Sequence, residues 1–199
     1  MIDFKIEKKI SKFVVGIDEV GRGPLAGPVV SAAVRLSCSF NYKKLNDSKK
    51  ISKSKREEIY NLIVKTCDYQ LGISNVEEID KYNILQATFL SMRRAVKKFK
   101  LPSDYKILVD GPWSFDKNNK NILPIIKGDT KYPSIAAASI VAKVYRDNLM
   151  LSLSKKYSDY LWEQNSGYGT KKHIQAIKKH GVTKHHRKTF APIHKILSL

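Results

Sequence analysis

An α/β fold built on a mixed sheet is predicted by two features of the chain. Short Val/Ile-rich runs bounded by glycine, proline or polar residues read as strands, and between them lie stretches whose apolar residues recur at helical spacing. The two kinds intermix along the chain, with no internal repeat and no Pro/Gly/Ser linker long enough to separate a second domain. One domain spanning residues 1–199 is expected, with a basic helical extension over about 150–199.

Residues 13–17 and 28–36 read as adjacent strands joined by a bend rich in glycine and proline, and 41–52 as a polar loop. Ser54 and Glu57 have the spacing of a capping box, and Ile59, Leu62, Ile63 and Cys67 keep one face of the following helix apolar. Tyr69, Leu71 and Ile73 alternate as a strand. Leu85, Phe89, Met92, Val96 and Phe99 then form one stripe of a long helix, with Arg93, Arg94, Lys97 and Lys98 outward; the stripe is core packing. Residues 107–109 and 122–126 are expected as buried central strands. An alanine-rich helix begins near Ser134, presenting Ile135, Ala138, Ala142, Tyr145 and Leu149, with Ala136 and Ala137 small enough to approach a sheet closely. A last helix starts after Thr170 and stops at Gly181.

The chain has 199 residues, 42% of them hydrophobic, and a chain of this length buries on the order of 70% of its unfolded surface. It carries 37 Lys+Arg against 18 Asp+Glu, a net charge of +19 that suits a polyanionic partner, nucleic acid first. Beyond Asp147 there are 10 Lys+Arg against Asp159 and Glu163 alone, so this end is the expected backbone clamp. Apolar runs such as 122–126 and 135–144 fall short of the ~20 residues of a membrane span. The first nine residues alternate apolar with charged, unlike a secretory signal. Cys38 and Cys67 are expected as reduced core thiols, and the protein as a cytoplasmic monomer.

Three apolar runs lead into acids: residues 14–17 into Asp18 and Glu19, 107–109 into Asp110, and 122–126 towards Asp129. Acids ending adjacent strands converge, and a carboxylate cluster in so basic a chain points to a bound cation. Oxygen ligands suit Mg²⁺ or Mn²⁺, and a pair of such ions performs phosphoryl transfer. Neighbours on a regular strand point to opposite faces, so use of both Asp18 and Glu19 calls for a bend between them. The run Gly21, Arg22, Gly23, Pro24, Leu25, Ala26 matches a dinucleotide-binding fingerprint formally. That fingerprint must open a helix, whereas Pro24, Pro28 and the following valines turn the chain into a second strand. No glycine-rich loop ends in Gly-Lys-Ser/Thr, so a Walker phosphate loop is excluded.

The run from Val14 through Asp18, Glu19, Gly21, Arg22, Gly23 and Pro24 to Val30 resembles the opening strand and glycine loop of bacterial ribonuclease HII, the type 2 ribonucleases H. The likeness continues in order through residues 45–50, 109–111, 127–129, 136–144 and 167–170, and ends at 186–192. The related ribonuclease HIII has an extra N-terminal domain; here 12 residues precede the first strand. The resemblance implies a ribonuclease H-like mixed sheet flanked by helices, with a C-terminal helical extension. It implies metal-dependent cleavage of the RNA strand of RNA/DNA hybrids and incision 5′ of ribonucleotides embedded in DNA. It makes Asp18, Glu19, Asp110 and Asp129 the metal-binding carboxylates, with Mn²⁺ or Mg²⁺ as cofactor. Gly21, Arg22 and Gly23 become the loop whose backbone meets the ribose 2′-hydroxyl, and Tyr168 the ring that stacks on the sugar at the junction with DNA. Ser139, Lys143, Lys49 and Lys50 become phosphate contacts.

The five histidines from His173 to His194 form no zinc ligand set and are expected to be solvated or phosphate-facing. Asp147, with Lys143 and Arg146 around it on the helix, is expected in a helix-surface ion pair. Residues 193–199 hold no sliding-clamp motif. The competing reading is a non-catalytic basic nucleic-acid-binding protein whose acids merely end strands, and Tyr168 then becomes an aromatic plug.

Overall fold

The Val/Ile-rich runs become five strands of one sheet: β1 (Val14–Val20), β2 (Val29–Arg35), β3 (Asp68–Ser74), β4 (Lys106–Asp110) and β5 (Ile122–Ile125), in the order β3-β2-β1-β4-β5. The computed structural model describes residues 4–41, 45 and 52–198, so Lys49 and Lys50 lie outside the described residues. β1 pairs antiparallel with β2 and β2 with β3, while β1 with β4 and β4 with β5 are parallel, so the sheet is mixed. Around it run α1 (Phe4–Ile10), α2 (Lys53–Thr66), α3 (Val76–Lys97), α4 (Pro133–Ser154), α5 (Trp162–Asn165), α6 (Lys171–His180) and α7 (Ala191–Leu197). None of these helices is long and apolar enough to cross a membrane.

Strand alternation sorts the core into two faces. Val15, Ile17 and Ala33 pack with Met92 and Ala95 of α3, and Phe89 and Val96 of its stripe, with Phe99 just past its end, complete that layer. Ala32 and Val34 pack with Ala136, Ala137, Ile140 and Val141 of α4 and with Ile59 and Ile63 of α2. α4 lies so near the sheet that a Cβ on Gly16 would stand 2.2 Å from the Ser134 carbonyl carbon. Each fully buried Val or Ile here contributes about 1.5–3 kcal/mol. A third cluster joins Leu25 and Ala26, in the β1–β2 connection, to Met150, Tyr160, Trp162, Ile177 and Ile193 of the C-terminal region.

Several sequence expectations are corrected. Ser52, not Ser54, caps α2, its hydroxyl accepting from Lys55 N at 3.3 Å; the helix starts before Ser54, so the Ser54–Glu57 spacing falls inside it. A reciprocal capping box occurs instead at Asn75 and Glu78. The expected stripe stands as the second part of α3: a break at Asn83, at φ +68°, precedes it, and Asn83 Oδ1 accepts from Leu85 N and Gln86 N to start it. β5 is an edge strand, not a central one, which suits Pro124, a residue with no amide to give a ladder. Cys38 is exposed and so not a core thiol, whereas Cys67 is half-buried against the core that α2 and α4 form; both are free. No bend separates Asp18 from Glu19, because β1 stays in register with β2 through Val20.

Candidate active site

Register decides how the acids meet. β1 pairs with β4 as far as Ile17 opposite Val109, so Asp18 and Asp110 are the next residues of two neighbouring strands. Ile17 and Val109 both face α3, which turns Asp18 and Asp110 to the α4 side. Asp110 Oδ1 accepts from Gly128 N at 2.7 Å and Asp129 N at 3.4 Å, which ties the short 3₁₀ turn Gly128–Thr130 to the strand end. Asp129, 3% exposed, is thereby held beside Asp110, just before α4 begins. Glu19 pairs with Ser31, whose hydroxyl bonds Ser91 of α3, so Glu19 lies on the other face of β1, its carboxylate 3.2 Å from Arg22 Nη1.

Burial, and then the charges of Glu19 and Asp110, push the Asp18 carboxyl well above the usual carboxylate range, although Ser139 and the Glu19 amide donate to it. Glu19 is raised by burial too, against the pull of Arg22. Such a set of hard oxygen donors, short of positive charge, fits a divalent cation of the Mg²⁺ or Mn²⁺ kind. Among the described residues no three His, Cys, Asp or Glu side chains are arranged to close on an ion as they stand, and Glu19 is turned towards Arg22.

Beyond Glu19 the chain enters the glycine loop. Gly21 has φ +93°, and a Cβ there would lie 2.2 Å from Arg146 Nε, so geometry and space both demand glycine. Gly23 meets only Tyr168 Cε1, at 3.6 Å from its Cβ position. Tyr168 is 45% exposed and its ring edge faces the loop at Gly23, a placement unlike that of a fully buried aromatic plug. Its backbone is fixed by Gly167, whose carbonyl accepts from Leu25 N at 2.7 Å, and by His173. An indole N–H only donates, so His173 Nε2 accepts from Trp162 Nε1 at 3.0 Å, and its Nδ1–H donates to Tyr168 O at 2.9 Å. His186 Nε2 then donates to His173 Nε2 at 3.2 Å, while its Nδ1 accepts from Thr183 N. These two histidines are buried and neutral, correcting the expectation that they are solvated or phosphate-facing; burial and then His173 lower His186 to about 4.

Ser139 donates to Asp18 and Lys143 Nζ pairs with Asp147 at 2.8 Å, so both expected phosphate contacts are engaged within the protein. Asp147 also accepts from Ser166 Oγ at 3.4 Å, whereas Arg146 takes no part in that pair. Arg146 is fully buried, donating to Ala26 O, Pro28 O and Ser166 O. Arg187, also fully buried, donates to Gly21 O, Arg22 O and Gly27 O. Burial and then Arg146 lower its guanidinium to about 9, so it stays a cation at neutral pH. Arg146 does not stand out in the sequence, where it is one cation among 37, and Arg187, though inside the 186–192 run of the family resemblance, carries no local sign of its burial.

A mixed sheet of this order, with carboxylates at the ends of β1 and β4 and a helix start closing over them, defines a ribonuclease H-type endoribonuclease. The Ribonuclease HII family profile matches residues 15–194. Over 186 residues the chain is 50% identical to ribonuclease HII of Pelagibacter ubique (strain HTCC1062), covering 94% of this chain and 100% of that one. The ribonuclease H2 structure from Pyrococcus horikoshii OT3 superposes with a TM-score of 0.77 at 26% identity, covering 93% and 97% of the two chains. RNase HII of Archaeoglobus fulgidus, solved in a complex with PCNA, gives 0.77 at 28% identity, covering 90% and 95%. The chain belongs to the ribonuclease HII family, whose activity is endonucleolytic cleavage of RNA in RNA/DNA hybrids. The non-catalytic reading falls with that membership.

Proposed function

We propose that the protein hydrolyses the phosphodiester on the 5′ side of a ribonucleotide, in hybrids and in duplex DNA holding a single ribonucleotide, leaving 3′-hydroxyl and 5′-phosphate ends. The observation that carries this reading is the approach of Tyr168 Cε1 to Gly23, 3.6 Å from where a Cβ there would stand, in a loop that leaves β1 directly after Asp18 and Glu19. Carboxylates, loop and ring thereby adjoin.

Asp18, Asp110 and Asp129 would hold the divalent cations, joined by Glu19, whose carboxylate is within charge reach of Asp18 and Asp110 and would swing round the strand end on leaving Arg22. When bound, a pair of such ions supplies an activated water and neutralises charge on the leaving oxygen. Ser139 keeps the Asp18 carboxylate oriented by its hydrogen bond. The amides of Arg22 and Gly23 bond the ribose 2′-hydroxyl, the group that separates RNA from DNA. A site built to bond a hydroxyl rejects the substrate lacking it, because the buried polar groups are left unpaired. Tyr168 stacks on the next sugar. Lys143, freed from Asp147, and Lys49 and Lys50 take phosphates, and the exposed lysines of α6 clamp the backbone further out.

The test is a duplex carrying one ribonucleotide, incubated with and without Mn²⁺ or Mg²⁺ beside its all-DNA counterpart. One metal-dependent cut on the 5′ side with a 3′-hydroxyl product is expected. A 2′,3′-cyclic phosphate would overturn hydrolysis by water, and equal cutting of the all-DNA duplex would overturn ribose recognition.

A further inference from the structure

Arg187 is a buried cation whose donors go to one loop. It is 0% exposed, and Nη2 donates to Gly21 O at 2.5 Å, Nη1 to Arg22 O at 2.8 Å, and Nε and Nη2 to Gly27 O at 3.0 and 2.8 Å. Burying a guanidinium is costly unless its donors are satisfied, and here backbone carbonyls satisfy them. Its own segment is fastened to the same loop, Arg187 N donating to Leu25 O at 2.8 Å and His186 bridging Ala26.

A trans peptide carries its carbonyl and the following amide on opposite sides of one rigid plane, and among the described residues there is no cis bond. Drawing the Gly21 and Arg22 carbonyls onto Arg187 therefore turns the Arg22 and Gly23 amides the other way. Among the described residues neither amide donates to a protein acceptor. Arg146 secures the exit limb through Ala26 O and Pro28 O, and through Ser166 O it reaches the segment that carries Tyr168. We infer that Arg187 is a positioning residue for ribose recognition, presenting the Arg22 and Gly23 amides to the 2′-hydroxyl from behind the loop. This rests on the loop being the ribose contact proposed above.

The experiment compares the wild type with Arg187→Lys and Arg187→Gln, each of which keeps at least one donor. Single-turnover cleavage is measured on two duplexes that differ at one nucleotide, ribo or 2′-fluoro, together with duplex Kd, thermal melting, and NMR order parameters of the Gly21 to Gly23 amides in the metal-free protein. The expected result is a ribo-to-fluoro rate ratio reduced about tenfold to a hundredfold, lowered order parameters confined to the loop, and an unchanged Kd. A merely structural role would slow both duplexes by one factor and leave the ratio intact, which overturns the inference. So would failure of both variants to melt cooperatively, since Arg187 would then be holding the fold. A wild type that cuts both duplexes equally would instead sink the reading of the loop itself.

Discussion

Glu7 Oε1 accepts hydrogen bonds from both Ser134 N, at 2.8 Å, and Ser134 Oγ, at 2.7 Å, so an acid near the chain start caps the helix that carries Ser139 and Lys143. α4 has no side-chain cap of its own, its N-cap being Tyr132. Glu7 is 2% exposed, and burial raises its carboxyl despite the two donors. Removing it leaves a buried amide unsatisfied, so Glu7→Ala should cost about 1–3 kcal/mol in urea unfolding. Glu7→Gln, whose carbonyl oxygen still accepts, should cost less. A loss below about 0.5 kcal/mol for the alanine variant, within the range of ordinary surface changes, would mean that the cap is dispensable.

Asp18 gives the metal-free protein a pH dependence of definite sign. Its carboxyl is raised in the folded state, so protonation favours the fold. That contribution is present below the ordinary carboxylate range and is lost as pH rises through the raised value. Asp18→Asn keeps an oxygen for Ser139 and the Glu19 amide but removes the charge. It should stabilise the metal-free protein at neutral pH by about 0.5–2 kcal/mol while ending cleavage, and the difference from wild type should vanish in acid. His186 runs the other way, losing stability as pH falls from its ordinary range towards about 4, but it is common to both proteins and cancels. A variant less stable than wild type at pH 7 would show that the buried charge is already compensated.

Much of this arrangement is legible in the sequence where local pattern decides it. The strands, the stripe of α3 and the Thr170 and Gly181 ends of α6 follow from periodicity and caps. What stays hidden depends on partners distant in sequence. Glu7 and Ser134 are 127 residues apart, and Arg187 and Gly21 are 166 apart. Nothing local separates Arg187 from the solvated cations beside it, nor the buried pair His173 and His186 from exposed histidines. The edge position of β5 is a topological fact that a short apolar run does not encode.

Asp110→Asn should abolish cleavage and leave duplex binding within a few-fold, because the amide oxygen still accepts from Gly128 N while one anionic ligand is lost. More than a few per cent of activity at saturating Mn²⁺ would exclude Asp110 as a ligand.

The exposed lysines of α6 make binding salt-dependent. For each phosphate neutralised, the logarithm of the binding constant falls by about 0.7–0.9 per logarithm of salt. Reversing Lys171, Lys172, Lys178 and Lys179, which lie on the solvent side of the helix away from buried His173 and Ile177, should flatten that slope. An unchanged slope would place the clamp elsewhere.

Tyr168 separates junction sensing from packing. Tyr168 is exposed and its ring edge lies 3.6 Å from the Cβ position of Gly23, while its backbone is held independently through His173 and Gly167. Tyr168→Ala should therefore leave the fold intact, changing stability by about 0.5 kcal/mol or less, as for surface positions. On a single embedded ribonucleotide every productive complex needs one RNA-to-DNA junction beside the ring. On a long hybrid no such junction is required. Base–aromatic stacking is worth about 1–3 kcal/mol; a ring on a sugar at the low end of that range predicts roughly a fivefold to tenfold greater loss of kcat/KM on the single ribonucleotide. Equal losses on both substrates would remove Tyr168 from junction sensing, and a large drop in melting temperature would make it a packing residue after all.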